Sequence, residues 1–197
     1  MSTPADQAPR PGRHRGCRVL ETARLAVRTA TVEDVALFYA LWTDPRVMTY
    51  VGFPQGLRIT RGELEERLST QGESEFERLL VVELKATGQA IGECKLGRPD
   101  EEGVAEPDLK LMPEFWGHGY GTEAWCALVA YEFTHTACKA VVGTPNVANV
   151  ASIKMQEAAG AVRTGEGVYH FPESMRNDTS PVHAYTYRVD RVDWERT

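Results

Sequence analysis

Three glycines at alternate positions, Gly117, Gly119 and Gly121, separate an apolar run from a stretch of helical periodicity in "EFWGHGYGTEAW" (114–125). Glycine is costly to order, and one glycine is enough for a turn. Three of them leave the main chain bare, so that a large, electron-rich group can approach its N–H groups. Because N–H groups and the helix dipole attract anions where a helix begins, this loop predicts a pyrophosphate site that needs no metal.

Two other phosphate-binding motifs do not match this stretch. A Walker A loop carries Lys and then Ser or Thr after its last glycine, and no Lys follows these glycines. A Rossmann fingerprint has a third glycine where Thr122 stands, and an acidic residue about 20 positions on, where Ala137, Cys138 and Lys139 stand. What remains is a glycine loop followed by a helix, expected over 122–134.

Composition is typical of one water-soluble globular domain. Of the 197 residues, 42% are hydrophobic and 25% are charged, which is enough for a sizeable core. Residues 1–16, rich in Pro, Gly and charge, are predicted to form a mobile tail, and 17–197 the domain. The net charge of −6, without a basic cluster, argues against nucleic acid as a partner.

The apolar runs, the N-terminus and the cysteines of the sequence predict a cytoplasmic protein without a membrane partner. No apolar run approaches the roughly 18 residues of a membrane span, and the N-terminus lacks the apolar core of a signal peptide. The four cysteines form no CxxC pair and have no His at metal-ligand spacing, so we expect free thiols and no metal site.

The pattern of apolar residues predicts a mixed α/β fold with a largely antiparallel sheet. Strands are predicted at 24–30, twice within the hairpin 78–97, at 105–112 with an irregularity at Pro107, at 139–144 and at 184–194. Helices are predicted after Thr31 with Asp34 in a near capping box, from Thr60 and Glu63 to about Leu68, over 122–134, and from Asn149 to Gly160. Residues 44–54 are predicted to be a loop with buried anchors.

Three segments, in order, resemble the GNAT superfamily of N-acetyltransferases, and most of all its ribosomal-protein N-terminal acetyltransferase (RimJ/RimL-like) branch. "MPEFWGHGYGTEAW" (112–125) is similar to the cofactor loop, with Trp116 before the first glycine as in that branch. Residues 20–52 resemble the opening strand, helix and loop, and "NVANVASIKMQEAAGA" (146–161) resembles the second cofactor segment. The likeness spans about 18–190. It implies one domain in which two central parallel strands splay apart between flanking helices.

The resemblance implies acetyl-CoA as co-substrate, bound where the strand ending at Met112 parts from the strand 139–144. Main-chain groups of Leu111 and Met112 would contact the pantetheine arm, and an N–H near Met112 would stabilise the oxyanion. Asn149 would bind the pantetheine from the other side. The pyrophosphate would lie against the residues of the glycine loop, which are Trp116, Gly117, His118, Gly119, Tyr120, Gly121 and Thr122.

His118 departs from the branch, which usually carries Lys or Arg at this position. A free His is mostly neutral at pH 7, so we expect the affinity for acetyl-CoA to weaken as the pH rises through the His range.

The resemblance also implies direct attack of an amine on the thioester. Glu106 lies where many members carry the carboxylate that deprotonates the amine; the alternative is an exposed strand residue. Glu173 is a second candidate base, or a surface acid. Many members use a Tyr seven residues after the motif Asn, but Gln156 stands there, so Ser152 is the candidate to hydrogen-bond the thiolate, or a helix cap.

Three functions stay open: acetylation of a primary amine such as a protein N-terminus, acetylation of a small amine (a polyamine, amino acid or aminoglycoside), and a non-catalytic acyl-CoA-binding sensor. An α-amine, with a pKa of about 7.7–8.0, demands less of a base than a Lys side chain near 10.4. The amine is the expected partner, and a homodimer stays open.

Several other residues have two interpretations. Trp42, Tyr50 and Phe53 either shape the acceptor cleft, which their segments flank in the family, or belong to the aromatic core. Cys138 is expected to be a buried or inert thiol, and His135 and His170 are expected to be surface or satisfied histidines.

Overall fold

Two β-sheets share the fold, and the segment around Pro107 passes from one sheet to the other. The computed structural model describes residues 16–175 and 177–196; the predicted tail over 1–16 lies outside them except for its last residue. The first sheet is antiparallel and consists, in spatial order, of β1 (Arg18–Glu21), β2 (Leu25–Thr29), β3 (Leu80–Leu84), β4 (Ala90–Lys95) and β6 (Asp108–Leu111). The second consists of β5 (Val104–Ala105), β7 (Ala140–Gly143), β9 (Val182–Asp190) and β8 (Val162–Tyr169).

Helices cover both faces of the first sheet. Helices α1 (Val35–Thr43) and α3 (Arg61–Ser69) lie on one face and α4 (Tyr120–His135) lies on the other. The described residues also form α2 (Pro45–Met48), α5 (Val150–Ala158), which packs on α4, and α6 (Arg191–Trp194), which packs on β9. Side chains alternate between the faces of a strand, so on β3 Val81 packs with α1 and α3, whereas Leu80 and Val82 pack with α4. The mixed α/β fold expected from the sequence is confirmed.

Local capping signals in the sequence form as predicted. Thr31 and Asp34 make a capping box at a short 3₁₀ turn that leads into α1. Thr60 and Glu63 make a second box at the start of α3. Asn149 caps α5, where its side chain accepts a hydrogen bond from the main chain of the first turn. Each of these signals is a contact across three residues, which is why the sequence displays it.

Three predicted boundaries are wrong for identifiable reasons. Helix α4 begins at Tyr120, two residues earlier than predicted, because Gly119 adopts a left-handed conformation and acts as the N-cap. Residues 44–54, predicted as a loop, contain α2, which is capped by the side chain of Asp44. The last strand ends at Asp190, and α6 replaces the end of the predicted strand.

Strands β1 and β8 were not predicted. In β8 the two glycines Gly165 and Gly167 interrupt any alternation, and every residue of the strand except Gly165 is exposed. The strand forms because it pairs along its length with β9, with an irregularity near Gly165. A pairing partner in another strand leaves no periodic signal in β8 itself.

The central strands diverge at Pro107. Before it, β5 pairs in parallel with β7, Val104 opposite Ala140 and Ala105 opposite Val141. After it, β6 continues the first sheet beside β4, antiparallel. Proline has no N–H for a ladder and therefore suits this break. A cleft opens between β6 and β7 at their carboxyl ends, as the family resemblance implied.

Helix α4 contains a buried carboxyl group. Glu132 of α4 is fully buried; its Oε1 accepts a hydrogen bond from Gly97 N–H at 2.7 Å, and within the described residues its Oε2 has no partner. Burial raises the pKa of Glu132 to about 7. The folded state therefore holds this proton more tightly than the unfolded chain does, and stability falls as the pH rises from the ordinary carboxyl range through 7.

Glu132→Gln removes this titration and keeps an acceptor for Gly97. We expect the variant to be more stable than the parent protein at pH 8 by about 1 to 3 kcal/mol, and the difference to shrink toward pH 5. Urea unfolding at several pH values measures it, with Glu101→Gln, an exposed position, as the control. An unchanged pH slope in Glu132→Gln would show that Glu132 does not titrate in this range.

Candidate active site

The glycine loop connects the end of β6 to the start of α4. Gly117 and Gly119 both have φ of 77°, a conformation that favours glycine. Gly121 lies in the first turn of α4, where an added Cβ would make only ordinary contacts, 3.5 Å from Met155 Sδ and 3.8 Å from Leu111 Cδ1. The conformational requirement for glycine is therefore confined to the first two of the three.

The first turn of α4 provides main-chain donors at the cleft. The N–H groups at the beginning of a helix have no acceptor within the helix, and here they belong to Tyr120, Gly121 and Thr122. The helix dipole adds positive potential to the same place. A side chain at Gly117 would meet no atom within 4 Å, so the loop is open on that side. These groups fit the pyrophosphate of a coenzyme.

A guanidinium from the residue just before β2 holds the loop, and this contact was not predicted from the sequence. Arg24 donates from Nη1 to His118 O at 3.0 Å and from Nε to Glu123 Oε2 at 2.5 Å. It also lies over the ring of Tyr120, 4.6 Å from the ring centroid. Although burial opposes ionisation, hydrogen bonds from Thr22 and Arg24 keep the pKa of Glu123 below its ordinary value. A fixed cation thus lies beside His118.

The aromatic residues of the loop contact the loop itself. Trp116 donates from Nε1 to Leu111 O at 2.8 Å, which ties the loop to the end of β6. His118 is exposed, with Nδ1 2.8 Å from Trp116 O and its ring stacked on Tyr120 at 5.8 Å. The histidine therefore lies on the loop where the sequence predicted it, with a cationic neighbour that the sequence did not reveal.

The two main-chain amides at the end of β6 differ in what they contact. Met112 N–H donates to Ile91 O at 2.9 Å and so belongs to the ladder with β4. Along an antiparallel strand, the main-chain N–H and C=O groups of one residue point to the neighbouring strand on one side, and those of the next residue point to the opposite side. The main-chain groups of Leu111 consequently face away from β4. Its C=O accepts the hydrogen bond from Trp116, and its N–H faces the gap toward β7.

Helix α5 begins on the far side of the cleft, after β7. Asn149 Oδ1 accepts a hydrogen bond from Ser152 N–H at 3.1 Å, so Asn149 is the cap and Ser152 is not. The two helix starts are neighbours, since Met155 of α5 lies close to Gly121 of α4. Gln156 is buried, with its amide against Gly143 at the end of β7.

The two candidate bases lie in different places. Glu106 stands exposed between β5 and β6, and its Oε1 accepts a hydrogen bond from Thr144 Oγ1 at 2.8 Å, directly after β7. It thus bridges the diverging strands at the base of the cleft. Glu173 is exposed in a 3₁₀ turn between β8 and β9. Phe171, two residues earlier, packs on Phe53 at 5.3 Å between ring centroids.

A cavity of about 310 Å³ lies between α1, α2 and the face of β4 and β6 opposite α4. Of the three aromatic residues that the sequence offers for the acceptor cleft, Trp42 and Phe53 line this cavity and Tyr50 does not. Trp42 Nε1 donates to Glu93 Oε1 at 2.6 Å. Lys110 Nζ lies 3.3 Å from the same oxygen and also pairs with Asp108.

The charged floor of this cavity was missed by sequence reasoning. Burial raises the pKa of Glu93. Although burial opposes its charge, the carboxylates of Asp108 and Glu93 raise the pKa of Lys110, so its ammonium stays protonated. A signal was present in the sequence: Glu93 lies within β4 between Gly92 and Cys94, and Lys110 lies within β6 between Leu109 and Leu111.

Other candidate sites are structural in this fold. Cys138 is fully buried and its carbonyl accepts a hydrogen bond from Arg191. His135 stacks on Tyr131 at 3.8 Å. Within the described residues no group of three or more His, Cys, Asp or Glu could hold a metal ion. No helix in the described part of the chain has the length and apolar character to cross a membrane.

A family model described as the acetyltransferase (GNAT) domain matches residues 24–162, a span that contains the glycine loop, both diverging strands and α5. Among curated proteins, the uncharacterized N-acetyltransferase p20 of Bacillus licheniformis is 27% identical over 151 residues, 74% of this chain and 83% of that protein.

Two solved structures resemble the fold. The spermidine N-acetyltransferase from Vibrio cholerae, in complex with CoA and spermine, matches with a TM-score of 0.73 at 21% identity and covers 88% of this chain and 99% of its own. An aminoglycoside acetyltransferase in complex with coenzyme A and kanamycin matches with a TM-score of 0.65 at 21% identity, over 88% and 98% of the two chains. At these identities the likeness concerns the fold alone.

Proposed function

The chain belongs to the GNAT family of acetyltransferases, and we propose that it transfers the acetyl group of acetyl-CoA to a primary amine. The observation that carries this proposal is the cleft between β6 and β7. It joins the glycine loop and the first turn of α4 on one side, Asn149 on the other, and Glu106 at its base. Main-chain donors, a polar side chain and a carboxylate thus surround one opening.

The chain would hold acetyl-CoA along this opening. N–H groups from Gly117 to Thr122 bind the pyrophosphate, with the guanidinium of Arg24 beside them. The cleft-facing N–H of Leu111 pairs with the pantetheine arm or the thioester carbonyl. Asn149 uses Oδ1 as a helix cap, and its amide nitrogen is the group proposed to donate to the pantetheine.

The proposed reaction is a direct attack. Glu106 accepts a proton from the ammonium, and the nitrogen lone pair then forms the C–N bond to the thioester carbon. Leu111 N–H stabilises the oxyanion. The C–S bond breaks with its electrons on sulfur, and the hydroxyl of Ser152 donates a hydrogen bond to the resulting thiolate. The extra proton on the new amide nitrogen passes to water, which leaves a neutral amide. A thiol pKa near 8.5 means that this leaving group needs little acid help. Glu173 remains the alternative base.

The similar solved proteins, whose names specify spermidine and aminoglycoside acetylation, support an amine acceptor. A protein α-amine, as in the RimJ/RimL-like branch, remains the other proposed acceptor. The cytoplasm remains the proposed compartment, supported by four free cysteines.

Calorimetry with acetyl-CoA, together with release of free thiol across a panel of primary amines, tests this function. We expect binding and an amine-dependent rate. Tight binding of acetyl-CoA without turnover of any amine would overturn the proposal that the protein is an enzyme, and would favour a non-catalytic acyl-CoA sensor.

Gly119→Ala tests the loop conformation. Alanine at positive φ costs about 1 to 2 kcal/mol, so we expect the Kd for CoA to rise roughly tenfold as the loop relaxes. Gly121→Ala is the matched control: its Cβ makes ordinary contacts, and CoA binding should stay within about twofold of the parent. Calorimetry measures both, and equal losses in the two variants would contradict the distinction between these glycines.

Arg24→Ala tests the cation at the loop. The expected loss of affinity for CoA is about tenfold, since a charge-assisted contact and the anchor of His118 disappear together. Pantetheine, which lacks the phosphates, should bind both proteins alike. His118→Gln is the companion variant; if it removes a pH dependence of CoA affinity between about pH 5.5 and 8, His118 also serves the phosphates. A loss for pantetheine equal to that for CoA would contradict a phosphate role for Arg24.

A further inference from the structure

We propose that the cavity between α1, α2 and the β4–β6 face receives the acceptor and selects a primary amine with one positive charge on an apolar body, over polycations. This inference rests on the proposed function, since it names the substrate class of the same site. At about 310 Å³ the cavity lies at the small end of ligand pockets.

The wall of the cavity is apolar. It consists of Trp42, Met48, Val51, Phe53, Leu57 and Leu79. Trp42 donates a hydrogen bond from Nε1 to buried Glu93, and this bond fixes the indole in the wall. Such a surface stabilises an aryl or alkyl group by removing it from water, and offers nothing to the hydroxyl groups of a sugar.

The charges of the cavity leave no partner for a second ammonium group. Its lining includes three cations, Arg67, Lys95 and Lys110, against two carboxylates, Glu93 and Asp108. Both carboxylates already contact Lys110. A polycationic acceptor would therefore bring additional positive charge to a lining with a net positive charge.

One carboxylate beside the cavity remains for the reacting amine. Asp108 and Lys110 line the cavity from β6, and Glu106 precedes Asp108 by two residues, at the base of the cleft. In the described part of the chain no cation lies within ion-pair distance of Glu106, whose hydrogen bond comes from Thr144. An acceptor whose body fills the cavity thus presents a single nitrogen toward Glu106.

Thiol release with the full chain and acetyl-CoA tests this selectivity. The acceptors are 2-phenylethylamine, spermidine, kanamycin and a short peptide that begins with phenylalanine. We expect kcat/KM for 2-phenylethylamine or the peptide to exceed kcat/KM for spermidine and kanamycin at least tenfold. Burial of a single methylene group in an apolar pocket already changes kcat/KM by about that factor. The two apolar arms separate a free small amine from a polypeptide terminus.

Val51→Glu adds a carboxylate to the wall and should shift the preference toward spermidine by about tenfold. Val192→Glu is the matched control, because Val192 is exposed in α6 and does not line this cavity; its preference should equal that of the parent. Thermal unfolding checks that both variants are folded. If Val51→Glu does not fold, the rates of the parent protein with the four acceptors decide the inference.

Each result has one meaning. Preference for the apolar amines, shifted by Val51→Glu and not by Val192→Glu, supports the inference. Turnover in which spermidine or kanamycin equals or exceeds the apolar amines overturns the inference but leaves the acetyltransferase function standing. No thiol release with any amine overturns the proposed function and this inference with it.

Discussion

Glu106→Gln is expected to lower kcat about 100-fold at pH 7 with an alkylamine acceptor, because general-base catalysis contributes roughly 10²–10⁴-fold. The carboxylate lies at the base of the cleft, hydrogen-bonded to Thr144 across the diverging strands. Glutamine keeps the shape and the acceptor oxygen but cannot take the proton. The Kd for acetyl-CoA should stay unchanged, since Glu106 is not among the groups proposed to bind it.

The pH profile separates a base from a merely structural residue. As the pH approaches the pKa of the free amine, near 10.4 for a Lys-like amine, the substrate loses its own proton and the deficit of Glu106→Gln should shrink. Glu101→Gln, an exposed nearby change, should behave as the parent at every pH. A deficit that is the same at pH 7 and pH 9.5, or none at all, would mean that Glu106 is not the base, and Glu173→Gln would be the next variant.

Arg28→Ala is expected to lower the free energy of unfolding by about 3 to 5 kcal/mol, the second large effect. Arg28 of β2 is 7% exposed and pairs with two buried carboxylates, Asp34 Oδ1 at 2.7 Å and Glu83 Oε1 at 2.8 Å. Its removal leaves both acids buried without a cation. Urea unfolding at pH 7 measures the loss.

The control for Arg28 is an exposed ion pair. Arg18 and Glu21 pair at 2.7 Å with about half of each side chain exposed, so Arg18→Ala should cost less than about 1 kcal/mol. The pH response adds a second check. Burial opposes ionisation of Asp34, but hydrogen bonds from Arg28 and Thr31 keep its pKa below the ordinary value. The parent should therefore lose this stability as the pH falls below about 4. Equal costs at positions 18 and 28 would contradict this assignment.

Features that depend on neighbours along the chain could be predicted from the sequence. The glycine loop, the capping boxes at Thr31 and Thr60, and the Asn149 cap each involve residues three or four positions apart. Pro107 also marked the irregular strand, because a missing N–H is visible in the residue itself. These signals place the cofactor loop and α5 without any knowledge of the tertiary fold.

Features that depend on pairing across the chain could not be predicted. Whether Met112 or Leu111 faces the cleft is set by register with β4, since a shift of one residue exchanges them. Arg24 meets His118 across 94 positions of sequence. The charge balance of the cavity appears only when β4 and β6 place Glu93 opposite Lys110. Pro107 marks the point where the strands part, but which side chains meet in the site depends on how the strands of the two sheets pair.

The most direct test of the central claim is mass spectrometry of a reaction quenched within one turnover, with acetyl-CoA and 2-phenylethylamine. Direct attack in the β6–β7 cleft predicts an amine heavier by one acetyl group, an equal amount of free CoA, and a protein of unchanged mass at every time. The same reaction with Glu106→Gln should yield product more slowly, with no acetylated protein. An acetylated protein that forms and decays as product appears, or CoA release without an acetylated amine, would contradict the account.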